Sequence, residues 1–157
     1  MNKKIFLFLT LVLLAGCGFT PMLKDFDMSK LKVQKINYSG KRELIYLTKT
    51  YLNIKEEKNI TEGILLNISI VESTNSVIKN AAGINTEEDL IINMKINVTN
   101  NKGNNLLSDE ISSSKRIKVS NNVSSDEEVK RVERRNLLRD LTQKIKFKLL
   151  ILTKQDQ

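Results

Sequence analysis

Two segments near the middle of the chain show strict alternation of apolar and polar residues. The first follows Gly63, and its apolar positions are Ile64, Leu66, Ile68 and Ile70. The second has apolar positions at Ile92, Met94, Ile96 and Val98. A period of two is typical of a strand that buries one face. The segment between them, around residues 80–83, is small and polar, so we predict a long antiparallel hairpin.

Weaker alternation flanks this hairpin on both sides. Residues 31–38 predict a strand with Leu31, Val33, Lys35 and Asn37 on one face and Ile36 and Tyr38 on the other. Residues 106–119 follow an Asn- and Gly-rich turn at 100–105. They predict a last strand in which Lys115 lies on one face and Arg116 and Lys118 on the opposite one.

Two segments have the period of an amphipathic helix. Leu44, Leu47, Tyr51 and Ile54 recur at spacings of three and four, which predicts a helix over 41–54. A second, longer helix is predicted after Ser125, where 125–128 reads Ser-Asp-Glu-Glu and resembles a capping box. Its apolar stripe is Val129, Val132, Leu137, Leu138, Leu141, Ile145, Leu149 and Leu152. Lysines near its end suit the negative pole of the helix dipole.

The resulting order is β-α-β-β-β-α. It predicts an α+β fold with an antiparallel or mixed sheet of about four strands and two helices packed on one face. We expect a single domain over residues 31–157, preceded by a short tether at 17–30 that contains the only proline, Pro21.

The first residues indicate export. Lys3 and Lys4 precede an apolar run at 5–14, which is about half the roughly twenty residues that a membrane-spanning helix needs. We interpret residues 1–16 as a signal peptide. The segment 14–17, Leu-Ala-Gly-Cys, resembles the lipobox of bacterial lipoproteins, so Cys17 is predicted to carry a covalent lipid anchor. The alternative is a small buried cysteine that follows a signal peptide by chance.

The residue after the cysteine bears on the destination of a lipoprotein. In well-studied Gram-negative bacteria an Asp at this position tends to retain the protein in the inner membrane, whereas here the residue is Gly18. The resemblance therefore implies an outer-membrane lipoprotein, lipid-anchored, with its folded part on the periplasmic face.

The composition argues against catalysis. The chain has no His and only one Cys, so His-based triads, thiol nucleophiles and the usual zinc sites are excluded. The carboxylates Asp126, Glu127 and Glu128 are accounted for by their place at a helix start. No Gly-rich phosphate loop or aromatic-studded basic surface is present, and export also argues against nucleic acid. We expect no enzyme activity, no metal and no cofactor beyond the covalent lipid.

Basic residues outnumber acidic ones, 26 to 18, which gives a formal net charge of +8. This surplus favours an anionic partner, although an AT-rich genome also inflates the lysine count. Lys115, Arg116 and Lys118 form one cluster, in which Arg116 and Lys118 could face one phosphate together. The alternative is a solvated edge strand whose positive charges prevent aggregation.

A second basic cluster lies on the predicted C-terminal helix. Its members are Lys130, Arg131, Arg134, Arg135 and Arg139, with acidic residues at helical pairing distances. Arg134 and Arg135 are our candidates for binding a partner, against the alternative of a solvated helix face.

Three features resemble the LptE family of lipopolysaccharide-assembly lipoproteins. The segment 17–21, Cys-Gly-Phe-Thr-Pro, is similar to the start of many members, especially in the alphaproteobacterial branch. The segment 133–141, Glu-Arg-Arg-Asn-Leu-Leu-Arg-Asp-Leu, is similar to that branch's C-terminal helix. The third feature is the order of the elements.

This resemblance implies a function in binding. The domain would plug the large β-barrel LptD, assist its assembly and contact lipopolysaccharide, with Lys115, Arg116 and Lys118 near the lipid A phosphates. The competing hypothesis is a periplasmic adaptor or structural lipoprotein that links the outer membrane to another envelope complex.

Overall fold

The computed structural model describes residues 31–57, 60, 62–120 and 122–155. The elements follow the order β-α-β-β-β-α: β1 (Val33–Gly40), α1 (Arg42–Leu52), β2 (Ile64–Lys79), β3 (Asn85–Asn100), β4 (Asn105–Lys118) and α2 (Val123–Gln155). The strands form one sheet in the order β1-β2-β3-β4. β1 is parallel to β2, whereas the other neighbours are antiparallel. The predicted α+β fold with a mixed four-stranded sheet is confirmed.

The long hairpin between β2 and β3 is the centre of the sheet. Its strands pair from Ile64 opposite Asn100 to Lys79 opposite Asn85. The turn at its end is stabilised by Asn80. Its Oδ1 accepts hydrogen bonds from the backbone nitrogens of Ala82 and Ile84, at N···O distances of 3.0 Å and 2.9 Å. The turn between β3 and β4 has the same pattern of hydrogen bonds from backbone amides to an Asn side chain.

In that second turn, Asn100 Oδ1 accepts hydrogen bonds from the amides of Lys102 at 3.0 Å and Asn104 at 2.9 Å. Gly103 has φ +82°, as Gly83 has φ +78° in the first turn. This left-handed conformation suits glycine because it lacks a Cβ. Each turn is therefore specified by the same local sequence, Asn followed three residues later by Gly.

The apolar face of the sheet packs against both helices. On β3, the side chains that alternate toward the helices are completely buried: Leu90, Ile92, Met94, Ile96 and Val98. They form one core with Leu138, Leu141, Ile145 and Leu149 of α2 and with Leu44 and Leu52 of α1. The predicted stripe of α2 extends too far at its start, because Val129 and Val132 are exposed. The opposite face of the sheet, which we call the open face, carries no helix among the described residues.

β1 departs from the predicted alternation. Val33 and Ile36 are both buried, because the register with β2 shifts between Val33 and Lys35. An irregularity of this kind moves the side chains that follow it to the opposite face of the sheet. The prediction that Val33 shares a face with Lys35 and Asn37 is therefore wrong.

The segment after α1 covers the outer edge of β1. The amide of Ile36 donates a hydrogen bond to Glu56 Oε1 at 2.8 Å, and the amide of Glu57 donates to Val33 O at 2.8 Å. α1 itself is shorter than the predicted 41–54, because Asn53 adopts a left-handed conformation with φ 47° and ends the helix.

α2 begins before the predicted capping box. Asn122 Oδ1 accepts the amide hydrogen of Ser125 at 3.3 Å, so Asn122 is the residue that caps the helix. Asp126 Oδ1 accepts hydrogen bonds from the amide and hydroxyl of Ser120, both at 2.8 Å. Glu128 instead forms an ion pair with Arg131. The predicted capping box between Ser125 and Glu128 is wrong, and Asp126 fixes the preceding loop to the first turn.

Candidate functional site

The three predicted anion-binding residues lie on the last part of β4, but not on one face. Strand alternation places Arg116 and Lys118 on the open face, whereas Lys115 stands opposite the buried Leu90 and points to the helix side. All three are exposed. The structure thus brings Arg116 and Lys118 together, and it separates Lys115 from them.

Arg116 is already paired within the chain. Its Nε donates to Asp89 Oδ1 at 2.9 Å, and its Nη2 donates to Asp89 Oδ2 at 3.2 Å. The hydrogen bond from Arg116 lowers the pKa of Asp89, and the same contact raises the pKa of Arg116. This two-bond geometry is the one in which a guanidinium binds carboxylate or phosphate.

Lys118 faces an acidic neighbour as well, because it stands opposite Glu87 on β3. The four side chains at this corner of the open face, Glu87, Asp89, Arg116 and Lys118, carry no net formal charge. An external phosphate therefore has to compete with Asp89 for Arg116. The alternation in the sequence correctly predicted that Arg116 and Lys118 share a face. Only the register between β3 and β4 shows that Asp89 and Glu87 lie beside them.

Arg134 ties three elements together. Its Nε and Nη2 donate to the two carboxylate oxygens of Glu72 on β2, the latter at 3.1 Å, and its Nη1 lies 3.4 Å from Glu43 Oε1 on α1. The side chains of Arg134 and Glu72 are only 11% and 9% exposed. Burial acts to raise the pKa of Glu72, but the hydrogen bond and charge of Arg134, with the charge of Lys41, lower it.

Arg135 is not part of this network, and its charge helps to lower the pKa of Glu128. Its side chain is exposed, and it forms no ion pair with a residue in the described part of the chain. By contrast, Lys130 pairs with Glu88 at 3.1 Å, and the guanidinium of Arg139 lies 5.6 Å from the ring centroid of Tyr51. The structure therefore separates the two predicted partner-binding residues into Arg134, which is held inside the fold, and Arg135, which is accessible.

A shallow cleft on the open face was not predicted. It has a volume of about 320 Å³ and lies where β1, β2 and β3 run side by side. The side chains that reach its open-face surface are Asn37, Ser39, Asn67, Ser69, Lys95 and Asn97. We call this surface the amide cleft. Asn37, Asn67 and Asn97 stand in one row across the three strands, and Ser39, Ser69 and Lys95 form the next row.

Hydrogen bonding in the amide cleft is incomplete. Asn37 Nδ2 donates to Asn67 Oδ1 at 2.9 Å, whereas the buried Oδ1 of Asn97 accepts no hydrogen bond from any described residue. The polar positions of β2 and β3 were visible in the sequence. Their alignment into rows was not, because it depends on the register between strands.

The described residues include no group of three or more His, Cys, Asp or Glu side chains placed to hold a metal ion. Within the same ranges, no helix combines the length and apolar character needed to span a bilayer. The predicted signal peptide, the lipidation site Cys17 and the tether lie outside the described residues.

No protein-family model matches the sequence, and no curated protein matches it as a relative. Solved structures share its fold. A minor lipoprotein from Acinetobacter baumannii is 14% identical with a TM-score of 0.57, and the match covers 76% of this chain and 92% of that one. Rare lipoprotein B from Shewanella oneidensis is 12% identical with a TM-score of 0.59, covering 78% and 97%.

A third structure, lipoprotein B from Nitrosomonas europaea, is 12% identical with a TM-score of 0.54 and covers 74% of this chain and 81% of that one. In all three cases the likeness spans most of each structure. The chain therefore has a fold that occurs in bacterial lipoproteins.

Proposed function

We propose that this chain is an outer-membrane lipoprotein of the LptE type, anchored at the periplasmic face by lipid on Cys17. It plugs and helps assemble an LptD-type β-barrel and takes part in lipopolysaccharide transport. The observation that carries the proposal is the fold, which is shared along most of its length with bacterial lipoproteins of 12–14% identity. The lipobox and the LptE-like segments at 17–21 and 133–141 add sequence support.

The proposed mechanism is binding without bond-making. The sequence offers no His and no cysteine beyond Cys17 for the usual nucleophilic or zinc-dependent chemistry. The surfaces described above, the corner with Arg116 and Lys118 and the amide cleft, consist of charged and polar side chains suited to binding. We therefore propose no enzyme activity, no cofactor besides the covalent lipid, and no nucleic-acid partner.

Co-purification tests the barrel partner. The tagged full-length chain is extracted from membranes in detergent and purified, and an LptD-type barrel is expected in a 1:1 ratio. Arg135→Glu is expected to reduce barrel recovery, because this side chain is exposed on α2 and forms no ion pair with a described residue. Lys102→Glu, in the exposed turn between β3 and β4, is the matched control. Recovery of the chain without any barrel contradicts the proposed function.

Lipopolysaccharide contact is proposed at Arg116 and Lys118, with Lys115 on the other face of the same strand. The pairing of Arg116 with Asp89 gives a sharp test of this site. Asp89→Asn removes the internal competitor, so it should strengthen binding of lipopolysaccharide. Double charge reversal at Arg116 and Lys118 should weaken binding and leave barrel recovery intact.

The measurement is binding of labelled lipopolysaccharide to the full chain in detergent, with Lys102→Glu as the control for net charge. Equal affinity in the wild type, Asp89→Asn and the double reversal would rule out this corner as the lipid-binding site.

The second candidate is a periplasmic adaptor or structural lipoprotein. One observation favours it: Asp89 and Glu87 balance Arg116 and Lys118, so the basic cluster carries little surplus charge. An adaptor would co-purify with an envelope complex other than an LptD-type barrel. The detergent extraction above therefore separates the two functions.

A further inference from the structure

The outer side of β4 is an open edge of the sheet. β4 is the last strand of the order β1-β2-β3-β4, and it is 14 residues long without a proline. At the opposite edge, β1 is covered by hydrogen bonds with residues 56–57. No segment in the described part of the chain covers β4 in this way. A long strand with unpaired backbone groups can pair with a further strand.

Two hydrogen bonds show which backbone groups of β4 point outward. The amide of Val119 donates to Thr86 O on the β3 side at 2.9 Å. The amide of Glu110 donates to the side-chain Oδ1 of Asp109 at 2.8 Å. Amides of successive residues point to opposite sides of an antiparallel strand, and the register with β3 is regular between these positions. The edge therefore presents the backbone groups of alternate residues, which include Glu110, Ser112, Ser114 and Arg116.

The charges along β4 are complementary to those of a second, antiparallel β4. The first half of the strand carries Asp109 and Glu110, the middle consists of serines 112–114, and the second half is basic. The basic residues are Lys115, Arg116 and Lys118. A parallel second copy would align like charges, whereas an antiparallel copy aligns each acidic half with a basic half. Opposite charges on facing residues stabilise a strand pair.

A two-fold axis at Ser113 satisfies both the backbone groups and the charges. It places Ser112 opposite Ser114 of the second copy and Glu110 opposite Arg116 of the second copy. These are outward-pointing positions, so they form the hydrogen-bonded pairs of the new ladder. Arg116 binds Asp89 through Nε and Nη2, which leaves Nη1 for Glu110 of the other copy.

Exposed apolar side chains of α2 lie beside the same edge. Asp140 Oδ2 accepts a hydrogen bond from the Ser113 hydroxyl at 3.1 Å, so this face of α2 borders β4 at the level of the axis. By helical period, Val129, Phe147 and Ile151 share that face, and they are 39–42% exposed. The two-fold axis brings the second α2 alongside, antiparallel to the first. Ile151 and Val129 lie equally far from Asp140 in opposite directions, so Ile151 of each copy is placed to cover Val129 of the other.

We infer that the chain forms a two-fold symmetric dimer in which β4 pairs antiparallel with β4 of a second copy. The two four-stranded sheets become one, and neither copy keeps a long uncovered edge strand. This inference goes beyond the proposed function, because it concerns the chain when no barrel is bound.

Sedimentation velocity tests the dimer, with the full lipidated chain purified free of any barrel and studied in detergent over a concentration series. A dimer that dissociates on dilution is expected. Glu110→Arg places like charges opposite each other at two symmetric positions, so it should weaken the dimer about tenfold. Glu62→Arg makes the same charge change at an exposed position before β2 and should leave the dissociation constant unchanged.

Two substitutions in the serine segment test the strand pairing itself. Ser112→Pro removes an outward-pointing donor and keeps the hydrogen bonds to β3, so it should abolish the dimer with little change in the unfolding temperature. Ser113→Cys should cross-link two copies on mild oxidation, because Cα atoms of facing residues in such a pair lie about 4.5 Å apart. Ser124→Cys, exposed on α2, is the control and should not cross-link.

Three results would overturn the inference. They are a monomer at every concentration, equal weakening by Glu110→Arg and Glu62→Arg, and equal cross-linking of the two cysteine variants. Barrel recovery is measured separately with Ser112→Pro. A monomeric wild type whose barrel recovery falls in Ser112→Pro would replace the second copy with a strand of the barrel, and it would leave the proposed function intact.

Discussion

At the scale of single residues, the ion pair between Arg134 and Glu72 joins α2 to β2 through two nearly buried side chains. Arg134 also reaches Glu43 on α1. Removing one member of such a pair leaves the other charge poorly solvated, which costs more than the pair itself contributes. The residue that the sequence offered as a partner contact is therefore positioned to stabilise the fold.

We expect Arg134→Met to lower the free energy of unfolding by about 2–4 kcal/mol, because the nearly buried Glu72 keeps only the exposed Lys41, 3.7 Å away, as a counter-charge. Urea denaturation followed by circular dichroism measures this. Arg135→Met, one residue along the same helix and exposed, should change the value by less than about 0.5 kcal/mol. Equal effects of the two substitutions would contradict the structural role of Arg134.

The same pair predicts a pH dependence. Glu72 has a pKa below its usual value of 4.5 in the folded chain, so its ionised form is favoured by folding. The resulting stability is fully present above the unfolded pKa and is lost as the pH falls through the folded pKa. The difference in unfolding free energy between wild type and Glu72→Gln should therefore shrink from about pH 5 downward. A difference that is constant with pH would argue against the lowered pKa.

Gly40 is a position where only glycine fits. Its φ is +139°, and a Cβ there would lie 2.4 Å from the carbonyl oxygen of Ile70. Gly40→Ala should destabilise the chain by about 2–3 kcal/mol, through strain and through displacement of β1 from β2. Gly103→Ala is the matched control, because its φ is also positive but nothing lies within 4 Å of its Cβ position. Thermal unfolding of both variants should show a larger decrease in unfolding temperature for Gly40→Ala than for Gly103→Ala.

At the scale of elements, the sequence predicted what depends on local pattern. The alternation in β2 and β3 and the Asn and Gly residues of the two turns were sufficient to predict the hairpin and the strand that follows. The parallel placement of β1 was left open, because a period of two says nothing about strand direction. The irregularity after Val33 was missed, since it depends on pairing with β2.

The start of α2 shows the same limit. Several residues in 120–126 can cap a helix, and the Ser-Asp-Glu-Glu sequence favoured Ser125, whereas the structure uses Asn122. Asn122→Ala is expected to cost about 1 kcal/mol of unfolding free energy, because an N-terminal amide loses its acceptor. Ser125→Ala should change it by less than about 0.5 kcal/mol. Chemical denaturation measures both, and the reverse ranking would restore Ser125 as the cap.

At the scale of the whole molecule, the candidate sites were predicted only in part. Arg116 and Lys118 do share a face, as alternation required. The competing Asp89 lies far away in sequence and comes into contact only through the β3–β4 register. The amide cleft needs three strands in register, so no single segment of the sequence reveals it.

The anchor and the folded domain should act independently. Cys17→Ser removes the only thiol and with it the proposed site of lipid attachment. When it is exported with a signal peptide that is cleaved without a lipobox, the variant should appear in the soluble periplasmic fraction, because no acyl chain remains to hold it to the bilayer. Its unfolding temperature should match that of the wild type. Retention of Cys17→Ser in the membrane in the absence of a barrel partner would contradict lipid anchoring.

The parallel pairing of β1 with β2 also constrains the order in which the chain folds. β2, β3 and β4 are joined by tight turns, so their contacts are close in sequence and can form early. β1 must wait until α1 and the following segment bring residues 64–70 alongside it. The part of the apolar face that α2 covers is buried only after all four strands have been made, because α2 follows them in the chain. A chain still emerging without α2 therefore presents Ile92, Met94 and Ile96 to its surroundings, and exposed apolar surface of this kind favours aggregation.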